Sequence, residues 1–270
     1  MKPFNTISET RHGLMVHNAL DTIVCRSLMV YGEFSEIEGR VLRSLVKDGD
    51  VVIDVGANFG AHTLPLAHKV GMTGLVYAIE PQRLVFQALC GTLAINSLAN
   101  VVAINAAAGA RAGSIRVPVC NPWKPVNIGG LEIDNWDEGQ EQPVVADDVP
   151  MIVLDQLNLP RCRLLKVDAE GMESQVLAGA ESLIRTHRPV LYVENDRQDR
   201  SPELIARILS MGYRAWWHLP PLYNPDNHRG VAEDIFPGVG SSNMLATPAE
   251  LPTETDLREV SGPDDWSNLG

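Results

Sequence analysis

Apolar positions fall into short runs separated by amphipathic stretches, and a regular alternation of the two begins near residue 50. Val51 to Val55 is an almost unbroken apolar run around Asp54, the pattern of a strand covered on both faces. Gly56 and Gly60 permit a tight turn after it, and the apolar stretch from Thr63 predicts a helix to about Lys69. The unit repeats as strand "GLVYAIE", helix "PQRLVFQALCGTLAINS" with Phe86, Leu89 and Leu93 on one face, and strand "VVAIN". Residues 109–160 break the rhythm with two β-like runs, "SIRVPV" and "VPMIVL", around a polar, acidic stretch that reads as an insertion with a solvated loop. Then "RLLKVDAEG" resumes the sheet, "MESQVLAGAESLIRTH" predicts one helix and "PVLYVEN" a strand. Ser201 and Pro202 open a further helix that ends before Gly212, and "YRAWWHL" and "NMLATP" supply two last strands.

Upstream, residues 14–34 alternate irregularly and predict a short strand or two and a loop. Ser35 and Glu38 then have capping-box spacing, and Asp48-Gly49 stops an N-terminal helix. From Ala249 onward Asp, Glu, Pro and Ser predict surface or disordered chain. Strands alternating with helices imply right-handed crossovers and an α/β fold, doubly wound around a mostly parallel sheet. The expected division is residues 1–49 packing on the core, one domain over 50–248 with its β insertion before the fourth strand, and a polar tail over 249–270.

Composition narrows the function classes. The 270 residues are 45% hydrophobic and 21% charged, ordinary for a globular chain, and the net charge is −12. With no Lys/Arg cluster to neutralise phosphates, nucleic acid is a poor partner. No apolar run suits a bilayer span and the start lacks the apolar core of a secretory signal, so the expected compartment is the cytoplasm, with no membrane partner. Cys25, Cys90, Cys120 and Cys162 have neither CxxC nor zinc-ligand spacing and are expected as buried free thiols.

The glycine turn holds the first chemical clue. A dinucleotide fingerprint needs a middle glycine where backbone meets the pyrophosphate, and here Asn58 stands between Gly56 and Gly60. That argues against a dehydrogenase, and no Gly-Lys-Ser/Thr follows to make a phosphate loop. Glu80, at the end of the next strand and followed by Pro81, is placed to accept both hydroxyls of a ribose. It also suits a helix N-terminus through the dipole alone. Asp54 beside the turn either orders it around an amino-acid moiety or caps loop amides. An acid at the turn, an acid on a ribose and no phosphate contacts suit S-adenosylmethionine. Asn105 ends the third strand where adenine would lie, although strand-end asparagines also form turns.

These segments, "VVIDVGANFGAHTLPLA", "YAIEP" and "LLKVDAEGMESQVLAGA", with "YGEFSEIE" upstream, resemble the FkbM-type S-adenosylmethionine-dependent methyltransferases, a class I Rossmann-like group. The resemblance runs from Tyr31 to Asn195 with an echo at "NMLATP". It implies a seven-stranded sheet with an antiparallel last hairpin, methyl transfer mostly to hydroxyl oxygens of sugars or natural products, and cofactor contacts from Tyr31 and Glu33.

The richest cluster is "KVDAEG". In a strand Lys166 and Asp168 share one face, about 6.6 Å apart by strand rise, with Glu170 just beyond. Ionisable groups there are costly unless paired, so a purely structural ion pair is one reading. The carboxyl edge of the sheet, where ligands bind, gives the other, with Glu194 ending the neighbouring strand. In that reading Asp168, Glu170 and Glu194 orient or deprotonate an acceptor hydroxyl, Lys166 holds Asp168 ionised, Asp168 also touches cofactor, and His218 is a candidate base. The same acids, with or without His218, suit a divalent metal such as Mg²⁺ or Mn²⁺, though no compact metal motif joins them. Residues 213–243 offer the aromatic faces of Trp216, Trp217 and Tyr223 amid neutral polar groups, a match for a saccharide acceptor, while a plain hairpin is the simpler account. The expected activity is O-methylation of a saccharide or glycosylated metabolite; a small carboxylic or amine acceptor, or non-catalytic S-adenosylmethionine binding, are the alternatives.

Overall fold

The computed structural model describes residues 3–130 and 145–268. Most of the expected acidic loop falls within 131–144, outside the described residues. In chain order the elements are β1 (Asn5–Thr10), β2 (Gly13–Asn18), α1 (Val24–Tyr31), α2 (Glu36–Ser44), β3 (Val51–Val55), α3 (Thr63–Val70), β4 (Leu75–Ile79), α4 (Arg83–Ile95), β5 (Val101–Ile104), β6 (Ala107–Ala108), β7 (Gly113–Pro118) and β8 (Ala146–Ile152). They continue as β9 (Leu164–Val167), α5 (Glu173–Ala178), α6 (Glu181–His187), β10 (Val190–Glu194), α7 (Ser201–Ser210), β11 (Tyr213–His218), β12 (Asn243–Pro248) and β13 (Arg258–Glu259).

The main sheet has the order β13-β11-β12-β10-β9-β3-β4-β5. Strands β5, β4, β3, β9 and β10 pair in parallel, whereas β12 runs antiparallel to both β10 and β11. This is the expected doubly wound α/β sheet of seven strands with an antiparallel last hairpin, plus the two-residue β13 at one edge. The insertion forms its own three-stranded sheet, β6-β8-β7.

Side-chain alternation sets the two layers. Ile53, Leu165, Val167, Leu191 and Trp217 point into a core shared with α5, α6 and α7. Val52, Val76, Leu164 and Tyr192 point to the other face, against Leu42 of α2 and Leu66 and Val70 of α3. With both faces covered, every residue of β3 is buried. Asp54 of β3 and its register partner Lys166 of β9 are buried polar residues, and both belong to the α3 face.

Three local readings give way to the structure. Residues 24–31 form a helix instead of a loop, because the Asp21 carboxylate accepts the N–H groups of Ile23 (3.2 Å) and Cys25 (2.9 Å) at its start. The helix expected over 172–187 is two, broken at Gly179, where a Cβ would sit 2.1 Å from the Gly109 carbonyl oxygen. The tail is surface chain, mostly exposed over 249–259, but it is anchored where disorder was the other expectation: β13 pairs with β11, Val260 is buried, and Asp265 accepts the Trp217 indole N–H at 3.2 Å. Its polar composition concealed a few anchors. At Ser35 the capping box appears in altered form, with the hydroxyl donating to the Glu38 carboxylate at 2.9 Å and no side-chain bond to backbone. No helix among the described residues is long and apolar enough to cross a membrane.

Candidate functional site

Strand order reverses between β3 and β9, and a cavity of about 420 Å³ opens at the carboxyl ends of those strands. Both the place and the size are typical of small-molecule sites in open α/β sheets. Its floor starts from the buried pair on the α3 face. Lys166 Nζ lies 3.1 Å from Asp54 Oδ1 and 3.5 Å from Asp168 Oδ2, and Thr63 donates its hydroxyl to Asp54 Oδ2 at 2.6 Å. Burial works against the lysine's charge, but Asp54 and Asp168 outweigh it and raise its pKa. Asp54 does not line the cavity; it anchors Lys166, which does. Gly56 follows with φ of 72°, and a Cβ there would fall 1.8 Å from the Asp168 carbonyl oxygen, so only glycine lets β3 and β9 open together.

One wall belongs to Glu80, only 3% exposed. Its two oxygens accept the N–H groups of Asn58 (2.9 Å) and Gln82 (2.8 Å), leaving each oxygen capacity for a second donor from the cavity. Burial pushes its pKa up to about 7 against the pull of those two bonds. Asn58 and Pro81 line the cavity beside it, as do Ala106, Ala107 and Ala108. Asn105 does not: its amide donates to the carbonyls of Glu80 (2.8 Å) and Pro81 (3.1 Å), making it a staple for the loop that carries the acid. Gly60 also stands back from the cavity, at φ of 92° under Leu89.

At the opposite rim Asp168, Glu170 and Glu194 converge, each offering an oxygen within 4.8 Å of the others. Burial, then Asp168, push the Glu170 pKa up to about 8, even though Arg197 donates to its Oε2 at 2.8 Å. Burial and the same neighbours hold Glu194 well above the usual carboxylate range, and its Oε2 is buried without a hydrogen-bond partner among the described residues.

Other candidates stand elsewhere. Tyr31 is buried under Phe236 and Tyr223, its hydroxyl bonded to the Glu233 carbonyl and the Ile235 N–H. Glu33 is consumed by Arg11 (2.7 Å), Asn224 (2.8 Å) and the His228 N–H (2.8 Å). Neither lines the cavity; both tie the 222–236 loop to the N-terminal region. His218 lies under the sheet on the α3 face, its Nδ1 2.6 Å from the Tyr192 hydroxyl, with burial lowering its pKa. It does not line the cavity, although its register partner Asn243 and, one strand further, Glu194 do. Trp216 and Trp217 are both core, and Tyr223 packs on Tyr31, so the aromatic platform is absent. From residues 213–243 only 239–243 reach the cavity. Sequence reasoning passed over Glu38, His62, Gln82, Arg197 and the loop at 127–130, all cavity lining. Glu38 was visible only as a capping residue, and it meets His62 at 3.4 Å.

Comparison with known proteins gives a consistent result. The sequence profile of the methyltransferase FkbM domain matches residues 54–215. No curated protein is significantly similar in sequence. Among solved structures, a methyltransferase FkbM from Methylobacillus flagellatus KT superposes with a TM-score of 0.50 at 20% identity, covering 74% of this chain. The chain spans 44% of that protein. A precorrin-6y C5,15-methyltransferase from Geobacter metallireducens GS-15 superposes with a TM-score of 0.50 at 14% identity, over 78% of this chain and 86% of the other.

Proposed function

Since this chain belongs to the FkbM methyltransferase domain family, we propose that it methylates a hydroxyl oxygen of a saccharide or of a glycosylated or other natural-product metabolite. S-adenosylmethionine supplies an electrophilic methyl group on a sulfonium. The cavity residues fit that molecule: each Glu80 oxygen, already accepting one backbone N–H, has capacity for one of two vicinal hydroxyls, Pro81 and Ala106 to Ala108 offer apolar wall for a base, and the Gly56 turn leaves backbone exposed toward an amino-acid end.

The observation that carries the reading is the convergence of Asp168, Glu170 and Glu194 on the same cavity. Attack by a neutral hydroxyl requires loss of its proton, and a base works best when its pKa lies near the working pH. Glu170, pushed up to about 8, is a carboxylate of that kind, and burial among like charges raises Glu194 beside it. Asp168, held beside Lys166, is suited to orient the hydroxyl. A protein that only bound the cofactor would have no use for such a rim, and Glu194 keeps an unpartnered buried oxygen instead of a salt bridge.

A labelled-methyl assay against glycans, hydroxylated natural products, and small amines and carboxylic acids tests the reading. Product on hydroxyl acceptors, lost in Glu170→Gln and Glu194→Gln, supports it; methylation confined to amines or carboxylates assigns the alternative acceptor. A second reading places Mg²⁺ or Mn²⁺ among the three acids to polarise the hydroxyl, favoured by their spacing within 4.8 Å. Turnover unchanged after exhaustive EDTA treatment removes it.

A further inference from the structure

The cavity wall near Glu80 is completed from two places far apart in sequence, Ile23 and Val24 at the start of α1, and Asn127, Gly129 and Gly130. One side chain joins them. Asp21 is 2% exposed, and while its Oδ1 serves α1, its Oδ2 accepts the Ile128 N–H at 2.9 Å. The backbone repeats the link, with the Thr22 N–H donating to the Val126 carbonyl at 3.0 Å. From the other side the Gln82 side-chain amide donates to the Ile128 carbonyl at 2.8 Å. Gln82's own N–H is one of the two bonds that Glu80 accepts. Next along the loop, a Cβ on Gly129 would lie 2.9 Å from Asn58 Nδ2, and Asn58 supplies the other bond to Glu80.

A helix cap needs only one carboxylate oxygen, so capping α1 does not explain why Asp21 spends its second on a residue of the insertion. A buried carboxylate with three backbone donors and, among the described residues, no cation against it is costly unless all three bonds are made together. We infer that Asp21 and Gln82 are positioning residues for the cofactor, holding Ile128 at its N–H and its carbonyl so that the 127–130 loop closes the cavity against the glycine turn. The inference rests on the placement of S-adenosylmethionine in this cavity proposed above. Neither side chain needs to touch the ligand: Asp21 acts through the loop, and Gln82 through the loop and through Glu80.

Calorimetric titration with S-adenosylhomocysteine, joined to stopped-flow dissociation, tests this in Asp21→Asn, Gln82→Ala, Gly129→Ala and Glu80→Ala. Asp21→Asn and Gln82→Ala should each weaken binding about tenfold, the loss of one buried or charge-assisted bond, mainly through faster dissociation. The two losses should combine to less than their product, since both release the same residue. Gln82→Ala is half-buried at the start of α4 and should melt within a few degrees of the parent, which separates loop seating from general destabilisation. Should Asp21→Asn fail to fold, Gln82→Ala and Gly129→Ala carry the test alone. Weakening by Glu80→Ala together with parent-like affinity, within twofold, in the folded loop variants overturns the inference. An absence of binding to the parent chain, or parent-like affinity in Glu80→Ala, overturns the placement of the cofactor and this inference with it.

Discussion

Replacing Lys166 by methionine removes the only cation in ion-pair contact with Asp54 among the described residues, at a position where Asp54 is 0% and Lys166 2% exposed. At 3.1 Å the attraction between the two is about 5 kcal/mol at an effective dielectric constant near 20. The second contact adds little, since the Asp168 side chain is 37% exposed and screened by solvent. The Thr63 hydroxyl still bonds one Asp54 oxygen in the variant but cannot neutralise a charge. Leaving that carboxylate uncompensated should therefore cost about 3–5 kcal/mol, which for a chain of this size corresponds to a melting temperature lower by roughly 10 °C. Urea unfolding followed through the buried Trp216 and Trp217 reads the loss as a lower midpoint at constant slope. The double variant Lys166→Met/Asp54→Asn should regain most of it, because the stranded charge is gone. A cost under about 1 kcal/mol for Lys166→Met, or strictly additive losses in the double variant, would refute the claim that this pair is mutually dependent.

Four further outcomes are expected. Glu80 (about 7), Glu170 (about 8) and Glu194 have folded-state pKa values above their ordinary 4.5, so the folded chain binds the extra protons; their contribution to stability is fully present below pH 4.5 and lost as pH rises toward 8. Urea midpoints should fall between pH 5.5 and pH 8, and Glu194→Gln should flatten that slope. Glu36 acts in the opposite sense: despite burial, His12 and Arg43 hold it down to about 2, so its contribution disappears as pH falls from 4.5 toward 2, and Glu36→Gln should abolish part of the acid limb. Gly56→Ala, which sets a methyl against the Asp168 carbonyl at a φ of 72°, should yield little soluble folded protein by circular dichroism, whereas Gly113→Ala, with open space around it, should match the parent. Asp265→Ala should lower stability by about 1–3 kcal/mol in urea titrations by stranding the buried Trp217 indole N–H and the Ser261 N–H.

Periodicity made the sheet legible. Strands buried on both faces, such as β3, are marked by their apolar runs, and Gly56 and Glu80 announced a turn and an acid at strand ends where ligands gather. The rim acids were equally readable, because strand rise alone places Asp168 beyond Lys166 on one face. What escaped depends on long-range packing. Helix α1 buries Val24, Leu28 and Tyr31 at helical spacing, but the run is short and its start is held by a carboxylate that also reaches a residue in the insertion. Asn105 and Glu33 have the residue types of ligand contacts, yet backbone carbonyls, an arginine and an asparagine had already claimed them. His218 shares its sheet face with Glu194 and Asn243, which reach the cavity, but its ring is held by the Tyr192 hydroxyl, a contact no spacing along the chain reveals. The 127–130 loop carries no side-chain chemistry in its sequence, so only the fold could bring it to the site.

The sheet order has a bearing on how the chain is made. The seventh strand of the main sheet in chain order, the antiparallel β12, lies between β10 and β11, so β11 leaves the ribosome before the strand it will pair with along its full length exists. Until residue 248 has emerged, β10 keeps one edge open and β11 lacks the neighbour that pairs with it over its full length. The profile match ends at residue 215, inside β11, and is therefore no guide to where the chain can be cut. A nascent or truncated chain ending between 215 and 243 should present a ready template for strand addition by another molecule, so chaperone engagement and proteolysis during synthesis should concentrate in that window and cease once β12 inserts.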